Sequence, residues 1–278
     1  MKILIIGCGY VGLPLGQALA SAGHEVHGVR RTDFTAENIT PQRIDITAPN
    51  ALDALPRDFD WVINTVSSAR GDAEVHRAVF VDGAKNLLDW LGDSSARVLF
   101  TSSTSVYPQT DGDWVDETSP AKPEGGTAQN LAQAEELFLN APQAATVLRV
   151  AGIYGPQRGY LFRQFLKGEA VLTKGGTRWI NMIHRDDVVG AILAAMKIEP
   201  SIYNVADDEP VTQHGFFEWL TQRLSKPMPP EGERVSRKRV ATSKRVRNAK
   251  LKAVGWQLRF PNFRDGYENL IREEQGGT

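Results

Sequence analysis

Three groups of residues in this 278-residue chain have types and spacings that bear on chemistry. The first is Gly7-Cys8-Gly9-Tyr10-Val11-Gly12, the glycine spacing of a dinucleotide-binding turn. In such a turn the first glycine permits the tight bend, the second lets the backbone approach a pyrophosphate, and the third allows a helix to pack closely on a strand. The N–H groups at the helix start then face the phosphates. A glycine pattern alone carries little weight, but here an apolar, β-branched run (Lys2 to Ile6) precedes it and a helical pattern (Val11 to Ser21) follows it. Gly7, Gly9, Tyr10, Val11 and Gly12 are therefore the candidate cofactor contacts.

The second group qualifies that ligand. The next strand ends in Val29-Arg30-Arg31, where a carboxylate would accept from ribose hydroxyls and an arginine would neutralise a 2′-phosphate. Arg30 and Arg31 favour NADP over NAD; the alternative is a pair of solvated surface arginines with Asp33 close behind. Asp45-Ile46, at the end of a third strand, is placed to present a carboxylate to an adenine amino group, or is a plain loop aspartate.

The third group is Thr101-Ser102-Ser103-Thr104-Ser105-Val106-Tyr107, immediately beyond a central strand. Ligands of open α/β sheets bind outside the carboxyl ends of the strands, so these hydroxyls are expected where a nicotinamide and a substrate oxygen would meet. Ser103, Tyr154 and His184 are the candidate catalytic residues, with Tyr160 a further hydroxyl. An imidazole titrates near about pH 6.5 and suits acid or base work, although His184, ahead of Asp186 and Asp187, equally suits a structural role. There is no Gly-x-Ser-x-Gly elbow and no Gly-Lys-Ser/Thr ending to the glycine turn, which speaks against hydrolase and ATPase chemistry. The five histidines and one cysteine make no metal-binding spacing, so no metal is expected.

The elements that must hold these groups alternate. Strands are predicted at Glu25 to Val29, Asp60 to Val66, Arg97 to Thr101 and Ala145 to Val150, with helices over Glu74 to Leu91 and Thr127 to Asn140. That alternation is the sequence form of an α/β fold: a Rossmann-like parallel sheet with helices on both faces and a smaller C-terminal substrate lobe. After Gly155 the texture shifts to short elements: a helix between Gly159 and Gly168, an extended run at Trp179 to Ile183, helices over Asp187 to Met196 and over Thr212 to Arg223, the last capped by Thr212. From Ser225 to Lys250 prolines give way to a basic run: Arg234, Arg237, Lys238, Arg239, Lys244, Arg245, Arg247 and Lys250. Lacking interleaved aromatics, it reads as a lid over an anionic small molecule rather than a nucleic-acid surface.

Lys plus Arg number 32 against 33 for Asp plus Glu, so no net charge draws the chain to nucleic acid or an anionic membrane. No stretch approaches the roughly 18 apolar residues of a membrane span, and the apolar run at the N-terminus is too short for a signal peptide. The single Cys8 cannot form an internal disulfide, which fits a reducing compartment; a cytoplasmic monomer or homodimer acting on a small molecule is expected.

The chain resembles the extended short-chain dehydrogenase/reductase family, also called the NAD-dependent epimerase/dehydratase family, and within it an atypical branch. The likeness rests on Gly7, Gly9 and Gly12, Asp45-Ile46, Ser102 through Tyr107, Leu148-Arg149 through Pro156, His184 through Asp187, Tyr203-Asn204-Val205, and Asn248 through Trp256. It implies a Rossmann domain over 1–155 plus about 181–206, and a substrate lobe over about 156–180 and 207–270. It also implies that Ser103 matches the family's catalytic serine. The family's Tyr-x-x-x-Lys pair is missing: registering the helix by Ala134-Glu135-Glu136 puts Thr127 at the tyrosine position and Leu131 at the lysine position. The family asparagine of the preceding helix becomes Asp82. The resemblance thus implies an NAD(P)-binding oxidoreductase or epimerase-like protein with non-standard acid/base residues, acting on a small, sugar- or phosphate-bearing substrate. The alternative is a catalytically silent NADP(H)-binding sensor or an interaction protein.

Overall fold

The computed structural model describes residues 1–68, 72–124, 126–233 and 242–276. The chain begins with β1 (Lys2–Ile6), α1 (Gly12–Ser21), β2 (Glu25–Arg30) and β3 (Thr40–Arg43). Next come β4 (Trp61–Asn64), α2 (Ala73–Arg77), α3 (Gly83–Leu91), β5 (Arg97–Ser103), β6 (Trp114–Val115), α4 (Gly126–Leu139) and β7 (Ala145–Val150). The shorter elements follow: β8 (Gly152–Tyr154), α5 (Tyr160–Leu166), β9 (Trp179–Ile180), β10 (Met182–His184), α6 (Arg185–Ala195), β11 (Ile202–Val205), β12 (Val211–Thr212) and α7 (Gln213–Leu224). The C-terminal part adds β13 (Arg245–Val246), α8 (Ala249–Ala253) and α9 (Phe263–Gly276).

Seven strands form one sheet in the order β11-β7-β5-β4-β1-β2-β3, and every neighbouring pair is parallel. A parallel sheet is covered on both faces, so its central strands are largely apolar rather than alternating. β1 shows this directly, with Ile3, Leu4, Ile5 and Ile6 all fully buried. The strand order reverses direction between β1 and β4, which is where an open α/β sheet forms its ligand crevice, at the carboxyl ends of the strands. This is the α/β Rossmann-like architecture that the alternation of elements implies.

Local chemistry trims the predicted elements. The expected strand from Asp60 to Val66 stops at Asn64, because Asn64 Oδ1 accepts from the Val66 N–H and the Thr65 hydroxyl donates to the Gly7 carbonyl. The expected helix from Glu74 to Leu91 is broken by a π-helical turn at Ala78–Asp82. Gly83 follows that turn pressed on Ile46, with only 2.8 Å between a side-chain methyl and the place a Cβ would occupy. Thr212 caps α7 as expected, its hydroxyl accepting from the Gly215 N–H at 3.0 Å.

Two apolar clusters lie in the molecule. The larger surrounds the seven-stranded sheet and takes in Val246, Leu251 and Trp256 from the C-terminal part. The smaller gathers Tyr154, Phe162, Phe165, Phe216, Phe217, Phe263 and Tyr267. Three two-stranded pairings, β8 with β10, β9 with β12 and β6 with β13, stitch the later segments together and to the loop after β5. Buried Asp187 on α6 accepts the backbone N–H groups of Arg259 (2.5 Å) and Phe260 (3.2 Å), and its burial raises its pKa to about 6. Among the described residues no helix is long and apolar enough to cross a membrane. Of the predicted basic lid, Arg234, Arg237, Lys238 and Arg239 lie outside the described residues.

Candidate functional site

The glycine turn leaves β1 at Ile6 and enters α1 at Gly12. Gly7 has φ +90°, and a Cβ there would lie 2.7 Å from the Val66 nitrogen. A Cβ at Gly12 would lie 2.5 Å from the Gly7 carbonyl oxygen and 2.8 Å from the Thr65 hydroxyl. At Gly9 the surroundings are open: the nearest atom to such a Cβ is the Gly7 oxygen at 3.9 Å. Two glycines are therefore required by the protein's own packing, and the third borders space that a ligand backbone can fill. The cap residue Val11 makes no side-chain capping bond to α1; Pro14 has no N–H and the Leu13 N–H is taken by the Gly9 carbonyl at 2.9 Å, so in the first turn of α1 the Gly12 N–H is left to an anion. Cys8 is fully buried beneath the turn, and burial pushes its thiol up to about 11, which makes it a packing residue rather than a nucleophile.

Tyr10 closes one side of this turn. Its hydroxyl donates to the Pro156 carbonyl at 3.0 Å, and the guanidinium groups of Arg158 and Arg185 lie 4.9 and 5.4 Å from its ring centroid. Three positive charges stand at the other end of the crevice: Arg30 and Arg31 at the close of β2, and Arg43, which pairs in register with Arg30 and forms an ion pair with Asp33 at 3.2 Å. Asp45 is exposed and accepts from both the N–H and the hydroxyl of Thr47, while Ile46 is buried with its carbonyl held by Asn86.

The serine loop divides into a buried half and an accessible half. Ser102 points inward and donates to Glu135 of α4 at 2.5 Å. Arg149 of β7 grips the same carboxylate through Nε and Nη2, the shortest contact being 2.7 Å. Its Nη1 donates to the Tyr107 hydroxyl at 3.0 Å, and that hydroxyl donates to Asn204 of β11 at 2.9 Å. All five of these residues are buried, so the line Ser102, Glu135, Arg149, Tyr107, Asn204 is a sealed polar network joining α4 to three strands or their ends. Ser103 differs: it is half-buried at the last position of β5, two strands from β1, and its hydroxyl accepts from the Ser105 N–H at 3.2 Å. The network was not anticipated from the sequence; its only local trace is a charged residue inside two apolar patterns, Glu135 in a helix and Arg149 in a strand.

Tyr154 and His184 sit together, edge to face at 5.3 Å between ring centroids, with Gly155 between His184 and the Tyr10 hydroxyl. Tyr154 is 1% exposed, stacks on Tyr267 at 4.3 Å, and has its hydroxyl pKa pushed far up by burial and by the nearby Asp207. His184 is 2% exposed, packs on Phe260, and accepts the Asp186 N–H through Nδ1, so it caps α6, where the sequence suggested an aspartate would start that helix. These are the surroundings of packing and capping residues. Tyr160 lies on the surface, 59% exposed at the start of α5. On α4, Thr127 is half-buried in the first turn and Leu131 is buried with Ala134 and Phe138 in the main core. Asp82 ends the π-helical turn and lies 4.0 Å from Arg77.

A doubly wound parallel sheet, a strand-turn-helix with two packing-enforced glycines and an open third, and a hydroxyl loop beyond a central strand define a Rossmann-type dinucleotide-binding protein. The chain belongs to the NAD dependent epimerase/dehydratase family, whose model matches residues 3–206. It is 30% identical over 241 residues to Protein YeeZ of Escherichia coli (strain K12), covering 80% of this chain and 84% of that one. It is 27% identical to a 3-diazoavenalumate denitrifying reductase of a Streptomyces species, covering 96% and 99% of the two chains. A solved putative NAD-dependent epimerase/dehydratase of Methylobacillus flagellatus superposes with a TM-score of 0.81 at 31% identity, covering 99% of this chain and 98% of that one.

Proposed function

We propose that this protein is an NADP(H)-preferring reductase or epimerase-like enzyme, acting on a small anionic or sugar-bearing molecule through acid/base groups other than the family's Tyr-x-x-x-Lys pair. The observation that carries the cofactor reading is the contrast at the glycine turn, where Gly7 and Gly12 have no room for a side chain and Gly9 faces open space. The pyrophosphate would rest on the N–H groups of the turn and of Gly12, flanked by Tyr10 with Arg158 and Arg185. Asp45 would take the adenine amino group. The nicotinamide supplies a hydride acceptor or donor; the chain's part is to orient it beside Ser103 and to hold the substrate oxygen there. A buried Cys8 thiol suits a cytoplasmic setting, and a monomer or homodimer is sufficient for a site built within one chain.

Arg30 and Arg31, with Arg43 beside them, favour a 2′-phosphate. A charge-assisted contact to phosphate is worth roughly 1.5 to 3 kcal/mol, or about tenfold and more in affinity. NADPH will therefore bind at least about tenfold tighter than NADH at low ionic strength. The gap will narrow with added salt because these side chains are near the surface, and also in an Arg30→Ala/Arg31→Ala protein. Calorimetric titration of both cofactors checks this; equal dissociation constants would refute the preference.

The acid/base reading has its own consequence. Leu131 is core, and Thr127 carries a hydroxyl too weakly basic to replace a phenol, so turnover will survive Thr127→Ala nearly intact. Ser103→Ala will lower it, by about 10²-fold or more if Ser103 positions the reacting oxygen. A loss at Thr127 equal to that at Ser103 would restore the usual geometry in altered residues. Leu131 also favours the second reading, a silent NADP(H)-binding sensor; in that case NADPH binds and no reductase or epimerase substrate is turned over.

A further inference from the structure

Two cations are buried among the described residues, and they are treated differently. Arg149 has its counter-charge, Glu135, at 2.7 Å. Lys244 is 4% exposed and has none: its Nζ donates to the Tyr107 carbonyl at 2.8 Å and to the Thr242 hydroxyl at 2.9 Å, both neutral. Among the described residues no carboxylate lies within ion-pairing distance of it. The charged group that faces it is another cation, Arg178, from the segment before β9. Tyr107 shows it only a carbonyl, since the phenol is turned to Arg149 and Asn204.

The location is specific. Tyr107 is the last residue of the serine loop. Next to Lys244, Ser243 accepts the Trp179 N–H and donates its own N–H to the Gln109 carbonyl, while Asn181 holds the Lys244 carbonyl. Lys244 is thus pinned where the β9 segment and β13 close on the serine loop, and two of its three donors are used. A buried ammonium without a counter-ion is disfavoured, because burial removes its hydration and nothing replaces it.

We infer that Lys244 is the recognition point for an oxyanion of the substrate, a carboxylate or a phosphate, held at the Tyr107 end of the serine loop. The inference rests on the proposed dinucleotide-dependent activity only in calling that anion a substrate. Burial and Arg178 together hold the Lys244 pKa down at about 8 in the free protein. An anion placed on it would draw it back up, so binding must bring a proton with it at mildly alkaline pH.

The test is calorimetry at pH 8.5 with benzoate as the carboxylate probe and UDP as the phosphate probe, with and without saturating NADPH, in two buffers of different ionisation enthalpy. The expected result is binding with proton uptake in the wild type, and at least about tenfold weaker binding in Lys244→Met, whose NADPH affinity stays unchanged. A response to benzoate alone identifies a carboxylate substrate, and one to UDP alone a phosphate. The ligand-free Lys244→Met protein should also melt higher than wild type at pH 7. That gap should close as pH rises above 8, since the folded wild type, whose lysine pKa is depressed, gains stability as the proton leaves. Binding without proton uptake, equal affinity in the variant, or no binding of either probe to the wild type overturns the inference. Failure of NADPH itself to bind would instead overturn the cofactor reading, and the anion titrations without NADPH would still report on Lys244.

Discussion

Gly9→Val will abolish dinucleotide binding in a folded protein, while Gly7→Ala will lose the fold before it loses the ligand. Gly7→Ala is the smaller substitution on paper, and the surroundings reverse that order. At Gly9 a Cβ meets nothing nearer than 3.9 Å and the backbone is not in the left-handed region, so the isolated turn has room to begin a side chain there. The space that valine fills is the path by which a pyrophosphate reaches the N–H groups of the turn and of Gly12. Losing two charge-assisted hydrogen bonds at roughly 1.5 to 3 kcal/mol each weakens binding by about a hundredfold or more. At Gly7 an alanine adopts φ +90° with its Cβ 2.7 Å from the Val66 backbone. The conformational cost alone is about 1 to 2 kcal/mol, and the clash with main chain between β1 and β4 has no flexible partner to yield. NADPH titration alongside thermal melts tests both. A Gly9→Val protein that melts like wild type and binds NADPH normally would remove the glycine turn from the cofactor site, and a Gly7→Ala protein of unchanged stability would contradict the packing described here.

A large stability loss is also expected from Arg149→Met. The methionine fills much the same volume but leaves Glu135, 3% exposed, with the Ser102 hydroxyl as its one hydrogen-bond donor among the described residues. Breaking a buried pair from one side typically costs about 3 to 5 kcal/mol, whereas replacing both partners by apolar side chains is often close to neutral. The double variant Arg149→Met/Glu135→Leu should accordingly recover most of the loss. That non-additivity, measured by denaturant unfolding of the wild type, both single variants and the double, distinguishes a charge left stranded from a simple loss of packing. If the single and double variants lose the same stability, the network is not held by that ion pair. Because α4, β5, β7 and β11 all contribute, the expected secondary effect is a loosened serine loop, read as a weaker Ser103-dependent activity.

Much of this was legible in the sequence because the signals are local. The apolar run Lys2 to Ile6 has to be covered on both faces, and the glycine spacing that follows it, ahead of a helical pattern, fits a strand-turn-helix. Thr212 caps a helix with its own hydroxyl, three residues from its partner. Each of these is decided within a few residues by sterics or by one hydrogen bond, so the alternation of strands and helices, and from it the parallel sheet, could be derived from composition and order. The helical pattern of Glu74 to Leu91 runs on through the π-helical turn at Ala78–Asp82, so that break was not legible.

The roles of the polar residues were decided elsewhere. Ser102 and Ser103 are adjacent and chemically identical, yet the pleat of β5 turns one into a sealed network and leaves the other half-accessible at the strand end. His184 and Tyr154 look catalytic as residue types, and the packing of Phe260 and Tyr267 against them encloses both. Lys244 was one of eight cations in a basic run; among those described it is set apart by burial against a carbonyl 137 residues away in the chain. The sequence by itself determined which backbone conformations are available and where the sheet's ligand edge must lie. Tertiary structure alone determined which charges are compensated, because a buried charge is stabilised or stranded by groups brought from distant segments, and no local pattern encodes that meeting.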